Sequence, residues 1–150
     1  MCGIGVLAFW LVSCGGGGLD PRDITAAETL WKTNGLASYH LELEVMNGLT
    51  RRIEVTVENG SYQNGMLMER GADDEGWEPG IPLDEIQGRP YTVPGLFQTL
   101  REELSTGQRS VSVTFNPNRG YVEAMALGGI AGSAPTLVRV LSLEPLSVPR

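Results

Sequence analysis

The chain contains few basic residues. Its 150 residues include 11 Lys and Arg against 18 Asp and Glu, which gives a formal net charge of −7 at pH 7. Nucleic-acid recognition depends on clustered Lys and Arg that contact phosphates, and binding flat on anionic lipid needs the same charges. The composition therefore argues against nucleic acid as a partner and against a domain that lies on an anionic membrane surface.

Long hydrophobic runs are also missing. The apolar segment Gly3–Val12 is too short for a membrane-spanning helix, which needs about 20 residues, but it suits the apolar core of a secretory signal. It leads into Leu11-Val12-Ser13-Cys14 and four glycines, Gly15–Gly18. This arrangement resembles the signal peptide and lipobox of a bacterial lipoprotein. The alternative interpretation is a buried strand over Ile4–Leu11.

The lipobox resemblance implies the domain organisation. Residues 1–13 would be a signal peptide, residues 14–22 the lipidated Cys14 with a flexible tether, and residues 23–150 a single globular domain. Each buried lipid CH₂ contributes about 0.8 kcal/mol, so several acyl chains on one cysteine hold a protein stably on a membrane. We expect a cell-envelope location, in the outer membrane of a two-membrane host or otherwise on the outer face of the plasma membrane.

Cysteine and histidine are scarce. The chain has two Cys and one His, and a lipidated Cys14 behind a removed leader leaves no pair for a disulfide and too few ligands for structural zinc. As a general base, His40 would need a nucleophile and an orienting carboxylate nearby. No serine lies in a G-x-S-x-G motif, which favours an exposed strand residue. We expect no metal site, no cofactor and no enzymatic activity.

Hydrophobic periodicity predicts the fold class. Runs that alternate apolar and polar residues indicate half-buried antiparallel strands, and apolar residues at helical spacing indicate helices. The predicted class is α+β, with an antiparallel sheet of about six strands covered on one face by two helices, in the order α-β-β-β-α-β-β-β. The predicted elements are a helix over Ile24–Asn34, strands over Tyr39–Met46 and Leu49–Glu58 and after Gly60, a helix from the Thr92 cap to Gly107, and strands over Arg109–Phe115, Tyr121–Leu127 and Thr136–Leu143.

Local signals predict how the first helix begins and ends. Asp23 or Thr25 can cap its N-terminus, since Thr25 has capping-box spacing to Glu28. Gly35 follows the last apolar residues and predicts a left-handed C-terminal stop.

The alternating pattern of the first hairpin predicts its register. A loop centred on Gly48 with an odd number of residues places Leu43 opposite Ile53 and keeps both side chains on one face. The same register places Glu44 opposite Arg52 as an exposed ion pair, worth at most ~1 kcal/mol. The next turn, Asn59-Gly60, is typical of a type I′ hairpin. Its two-residue geometry predicts a short or bulged third strand, because a regular one would bring a polar residue to the apolar face.

The segment Glu69–Arg89 has no periodicity and is long for a loop, which is typical of functional or mobile segments. Asp73, Asp74 and Glu75 form an acidic triplet, for which we weigh a calcium site against a solvated loop. Calcium takes six to eight oxygen ligands, and the EF-hand spacing is missing, which favours the solvated loop. Trp77 follows, and exposed aromatic residues in loops often anchor a partner. These four residues are the predicted partner contacts.

The second half of the chain carries motifs of a recognisable kind. The segments Tyr91–Phe97 (YTVPGLF) and Val111–Tyr121 (VSVTFNPNRGY), with the opening Leu30-Trp31-Lys32 and Tyr39, resemble a family of bacterial lipoproteins built on one uncharacterised domain. The resemblance covers roughly residues 28–127. It implies a lipid-anchored envelope protein and supplies no activity.

The sequence favours a non-catalytic binding domain of the cell envelope, held to the membrane by lipid on Cys14 and contacting an envelope protein or small ligand. Two other classes remain open. An envelope hydrolase would need two carboxylates across a pocket, about 5–10 Å apart. A structural or assembly lipoprotein would pair the edge of its sheet with another chain.

Overall fold

The computed structural model describes residues 18–70 and 76–147. The leader predicted over residues 1–13 and its lipobox lie outside these residues. None of the described helices is long and apolar enough to cross a bilayer. The described elements, in chain order, are α1 (Pro21–Asn34), β1 (Tyr39–Met46), β2 (Thr50–Glu58), β3 (Ser61–Arg70), β4 (Ile81–Leu83), α2 (Glu85–Gly88), a 3-10 turn (Arg89–Tyr91), α3 (Val93–Thr106), β5 (Val111–Phe115), β6 (Val122–Leu127) and β7 (Thr136–Pro145).

The strands of the described residues form one antiparallel sheet in the order β4-β3-β2-β1-β7-β6-β5. The last strand of the chain, β7, lies between β1 and β6. It thereby joins the strands β1–β4 and the hairpin β5–β6 into one seven-stranded sheet. The predicted α+β class is therefore confirmed, with one strand more than the predicted number. The additional strand is β4, which has three residues including Pro82 and is too short to show any alternation.

The hydrophobic core lies between one face of the sheet and the helices α1 and α3. Alternate residues of β1 and β2 point into it, and Leu41, Leu43, Ile53 and Val55 are fully buried. The helices contribute a second set of side chains, which is Ile24, Ala27, Trp31, Val93, Leu96, Phe97 and Leu100. Because burying one such large apolar side chain contributes roughly 1.5–3 kcal/mol, this face supplies most of the driving force for folding.

The first hairpin has the predicted register, with Leu43 opposite Ile53 and Glu44 opposite Arg52. The predicted ion pair between Glu44 and Arg52 is wrong. Arg52 instead pairs diagonally with Glu42 at 3.1 Å, and Glu44 pairs with Arg139 at 3.0 Å. The reason is β7, which places Arg139 directly opposite Glu44 on the other side of β1.

The second hairpin turns at Asn59-Gly60, where both residues have positive φ, 49° and 79°, as a type I′ turn requires. The predicted bulge is confirmed, because the register shifts between Thr56 and Val57. The extra residue returns the apolar side chains of β3 to the covered face, so that Leu67 lies opposite Ile53. The strand continues for 10 residues and is not short.

The first helix begins earlier than predicted. Asp20 is the N-cap and accepts a hydrogen bond from the Arg22 N–H at 2.8 Å, while Pro21 occupies the first turn, where a missing N–H costs nothing. The predicted caps, Asp23 and Thr25, lie inside the helix. Gly35 is extended, with φ −75° and ψ −178°, so the predicted left-handed stop is wrong. A Cβ at Gly35 would come within 2.6 Å of the Trp31 ring, which explains the glycine by close packing.

The second long helix, α3, matches its prediction. The side chain of Thr92 accepts a hydrogen bond from the Gly95 N–H at 3.2 Å, Pro94 lies in the first turn, and Gly107 ends the helix in the left-handed region with φ 61°. Its apolar stripe faces the core, and Phe97 stacks on Phe115 of β5 with ring centroids 6.0 Å apart.

Candidate functional site

A groove of about 610 Å³ opens at one end of the sheet, between the end of α1, the β2–β3 hairpin and the helices α2 and α3. We call it the aromatic groove. The residues that shape it are Trp31 and Leu36 from α1 and the chain after it, Tyr39, Val57 and Tyr62 from the strands, Glu85, Ile86 and Arg89 from α2 and the turn that follows, and Gln98, Thr99 and Glu102 from α3.

Three aromatic side chains form the floor of the groove. Trp31 meets Tyr39 edge to face, with ring centroids 5.7 Å apart and an interplanar angle of 87°. The Tyr39 hydroxyl accepts a hydrogen bond from the Val93 N–H at 3.2 Å, which fixes the start of α3 against the sheet. The Tyr62 hydroxyl donates to the Leu83 carbonyl at 2.7 Å, which fixes the segment before α2. The floor is therefore held in place by the elements that surround it.

The short helix α2 forms one wall of the groove. Asp84 caps it, accepting a hydrogen bond from the Gln87 N–H at 2.8 Å while the Gln87 side chain accepts from the Asp84 N–H. Gly88 is buried against Tyr62, where a Cβ would come within 2.3 Å of the ring. Residues two apart lie on nearly opposite sides of a helix, so the Ile86 side chain points outward and is 85% exposed. A large apolar side chain therefore lies on the rim.

Burial extends the pH range over which the hydroxyl groups of the floor stay neutral. It raises the pKa of Tyr39 to about 12, and the hydrogen bond from the Val93 N–H offsets only part of the effect. Burial and the nearby Asp84 carboxylate also raise the pKa of Tyr62. Both phenols are protonated at neutral pH, so the floor of the groove is aromatic and carries no charge.

The charged and amide groups of the groove lie on its rim. Glu85 and Arg89 form an exposed ion pair at 3.5 Å, and Glu102 accepts a hydrogen bond from the Gln98 side chain at 2.8 Å. These exposed groups contribute little to stability. They are free to rearrange around a bound molecule, so the site combines a fixed apolar floor with an adaptable polar rim.

A smaller depression of about 310 Å³ adjoins the groove and shares Trp31, Leu36 and Pro94 with it. Its border includes Glu28, whose carboxylate pairs with Arg101 of α3 and with Lys32. The hydrogen bond from Arg101 holds the pKa of Glu28 below its usual value. This ion pair links α1 to α3 beside the groove.

The predicted partner contacts lie elsewhere. Trp77 is half-buried and stacks against two guanidinium groups, with Arg52 at 4.8 Å and Arg70 at 4.9 Å from its ring centroid. By the alternation along β2 and β3, both arginines point to the face of the sheet opposite the helices. Trp77 therefore lies on the open face, away from the aromatic groove.

Several other predicted site residues lie outside the described residues. They are Cys14, the predicted lipidation site, and the acidic triplet Asp73, Asp74 and Glu75. The far end of the same predicted loop, Glu85–Arg89, is described and forms the wall of the groove. The described parts of the segment Glu69–Arg89 thus lie on two faces of the molecule, with Trp77 on the open face and Glu85–Arg89 at the groove.

Sequence reasoning missed the groove. Trp31 lies in the predicted helix Ile24–Asn34, and Tyr62 lies in the predicted strand after Gly60. In both elements the spacing fits a core residue equally well. The one available signal was Ile86, an isolated large apolar residue in a segment without periodicity.

His40 lies on the open face, as the alternation predicts. Its Nδ1 is 3.4 Å from the Thr56 hydroxyl, and Glu144 lies opposite it on β7. Within residues 18–70 and 76–147, no group of three His, Cys, Asp or Glu side chains is arranged to hold a metal ion.

Comparison with protein families gives one match. A family model described as a family of unknown function, DUF6174, matches residues 23–131. The comparison with curated proteins found no match.

Proposed function

The chain belongs to DUF6174, a family of unknown function, and we propose that it is a non-catalytic binding domain anchored by lipid in the cell envelope. In this proposal the aromatic groove is the binding site, and the ligand inserts an apolar or aromatic group against Trp31, Tyr39 and Tyr62. The ligand is a small molecule or a side chain of an envelope protein.

The observation that carries the proposal is the aromatic groove itself. Its volume of about 610 Å³ lies within the range of about 300–1,000 Å³ that is usual for small-molecule sites. Such sites combine an apolar lining with a few polar groups, as the floor and rim do here. The rim also leaves Ile86 85% exposed, which a bound partner would cover.

The composition of the rim narrows the ligand class. Two carboxylates, Glu85 and Glu102, and one guanidinium, Arg89, border the groove, so the surroundings are slightly acidic. An anionic ligand would be repelled by the carboxylates of both Glu85 and Glu102. The groove therefore favours a neutral or cationic ligand whose apolar part reaches the floor and whose polar part meets Gln98 and Thr99.

The location in this proposal is supported by the sequence alone. An apolar segment, the residues Leu11-Val12-Ser13 before Cys14, and the glycines that follow are arranged as in a bacterial lipoprotein. Metabolic labelling with palmitate tests this part. We expect label in the native chain and none in the Cys14→Ser variant, and no label in either would remove the anchor from the proposal.

The binding site can be tested with the neutral apolar dye N-phenyl-1-naphthylamine, which fluoresces strongly on apolar surfaces and matches the neutral ligand class that the rim favours. The test variant is Ile86→Asp, on the rim of the groove. The matched control is Ile130→Asp, an isoleucine 41% exposed that does not border the groove. We expect Ile86→Asp to weaken dye binding by about tenfold, since about 1.4 kcal/mol of apolar contact is lost, and the control to leave it unchanged.

Equal loss of dye binding in both isoleucine variants would contradict the groove as the binding site. The hydrolase class predicts something else, namely turnover that depends on the two groove carboxylates. Hydrolysis of an envelope glycan by the native protein, lost in Glu85→Gln and Glu102→Gln, would replace the binding proposal with an enzymatic one.

A further inference from the structure

The two edge strands of the sheet differ in how they are protected. At one edge, β4 has three residues, and one of them is Pro82, which cannot donate to another strand. At the other edge, β5 has five residues, Val-Ser-Val-Thr-Phe, with neither proline nor charge. Natural edge strands usually carry proline, a charged residue or a bulge that prevents pairing. β5 carries neither proline nor charge, and the register shift in its pairing with β6, between Thr114 and Phe115, places the extra residue on β6 rather than on β5. Among the described residues, β5 pairs on one side only, with β6.

Hydrogen bonds at both ends of β5 show which of its backbone groups face the open side. The Ser110 carbonyl accepts from the Gly128 N–H at 2.8 Å, and the Asn116 N–H donates to the Tyr121 carbonyl at 2.8 Å. Ser110 and Asn116 therefore both point toward the β6 side. Because backbone groups alternate between the two sides of a strand, the N–H and C=O groups of Val111, Val113 and Phe115 point away from β6.

We propose that β5 pairs antiparallel with β5 of a second copy of this chain, with Val113 opposite Val113. In this register, Val111 of each copy lies opposite Phe115 of the other, and each pair exchanges both N–H···O bonds. The side chains of these residues are half-buried on the helix-covered face, where a second copy would cover them further. β-branched and aromatic residues are favourable cross-strand neighbours.

The opposite face is also self-complementary in this register. Ser112 of one copy lies opposite Thr114 of the other, and hydroxyl pairs of this kind can form hydrogen bonds across strands. The nearest charged residue before β5 is Arg109, which pairs with Glu103 at 3.5 Å and would lie opposite Pro117. No like charges meet across the interface, which explains why a second copy fits the strand.

This pairing is independent of the proposed binding function. None of the residues that shape the aromatic groove belongs to β5.

The two-fold axis of the proposed dimer is perpendicular to the sheet, as an antiparallel pairing of identical strands requires. The helix layers of the two copies therefore lie on the same side of the sheet. The assembly is an isologous dimer with one continuous sheet.

Sedimentation equilibrium of the intact chain in density-matched detergent tests the pairing. Ser112→Lys with Thr114→Lys places lysine opposite lysine across the interface twice, while Ser112→Lys with Thr114→Glu places lysine opposite glutamate. Ser112 and Thr114 are both exposed in the single copy, so we expect both double variants to keep the fold. We expect the lysine–lysine variant to raise the dimer dissociation constant about tenfold or more, and the lysine–glutamate variant to stay within about threefold of the native value.

A third variant, Val113→Pro, removes an N–H that the single copy does not use in its ladder and should abolish the dimer. A native chain that is monomeric throughout the concentration range would overturn the proposal. A dimer that is equally stable in both lysine variants would overturn it too, because pairing would then occur elsewhere. If the proline variant fails to fold, the two lysine variants still decide the question.

Discussion

The two faces of the sheet are built from alternate residues of the same strands, yet different interactions hold each of them together. On β1, Leu41 and Leu43 are fully buried under the helices, while Glu42 and Glu44 form ion pairs with arginines on neighbouring strands. The covered face is stabilised by removal of apolar surface from water, and the open face by half-buried charge pairs. The aromatic groove forms where the covered face reaches the ends of the helices.

The two faces therefore differ in how well they tolerate substitution. The open face can exchange its side chains at moderate cost, because half-buried ion pairs contribute on the order of 1 kcal/mol each. The covered face cannot, because its side chains are close-packed and a cavity costs both contacts and transfer free energy. The groove has the rigidity of the covered face and the accessibility of the open one.

The largest effect is expected from a comparison of neighbours on β1. Leu43→Ala should lower the free energy of unfolding by about 2–5 kcal/mol, since it removes a fully buried side chain. Glu44→Ala, one residue along the strand, removes a half-buried ion pair with Arg139 and should lower it by about 1 kcal/mol. Urea unfolding followed by circular dichroism measures both. Losses of similar size would show that the two faces are not distinct.

The next largest effect is expected from the titration of Tyr39, whose side chain is buried on the covered face. Burial raises the pKa of Tyr39 from 10 to about 12, so the folded state holds the proton more tightly than the unfolded chain does. This shift contributes roughly 2–3 kcal/mol to the free energy of unfolding. The contribution is fully present below pH 10 and is lost as the pH rises toward and through 12. The free energy of unfolding of the native protein should therefore fall more steeply over this range than that of Tyr39→Phe.

Tyr39→Phe is the control for the native protein, because the two proteins share every titrating group except the Tyr39 hydroxyl. The variant should lose about 1 kcal/mol at neutral pH with the hydrogen bond from the Val93 N–H. Identical slopes above pH 10 would contradict a buried Tyr39 hydroxyl.

The smallest effect concerns the open face. Trp77→Ala should lower the free energy of unfolding by about 1 kcal/mol, since the ring stacks on the guanidinium groups of Arg52 and Arg70 in a solvated setting. The groove lies on the other side of the sheet, so dye binding should stay unchanged. A marked loss of dye binding in Trp77→Ala would move the binding site to the open face.

Much of the fold follows from local sequence rules. Alternation of apolar and polar residues determines which face each residue of β1 and β2 occupies, and it explains both the register of the first hairpin and the bulge in the second. The Thr92 cap and the Gly107 stop follow from the chemistry of helix ends. These features depend on residues close together in the chain, so one sequence is enough to predict them.

The features that escaped prediction depend on distant residues. The partner of Glu44 is set by β7, whose position beside β1 is not encoded in any local pattern. The groove joins Trp31, Tyr62 and Ile86 from separate elements, and the first two look like ordinary core residues. The predicted helix start is wrong because Asp20 and Asp23 can both cap a helix, and Pro21 favours the earlier one.

Whether the aromatic groove or the open face binds the ligand can be tested directly by comparing Trp31 in the groove with Trp77 on the open face. The chain has three tryptophans, Trp10, Trp31 and Trp77, so the protein can be labelled with 5-fluorotryptophan and its ¹⁹F resonances assigned with Trp10→Phe and Trp77→Phe. Solubilised envelope from cells that lack the protein is then added. The account predicts that the Trp31 resonance shifts while the Trp77 resonance stays in place, whereas a shift of Trp77 alone, or of neither, would contradict it.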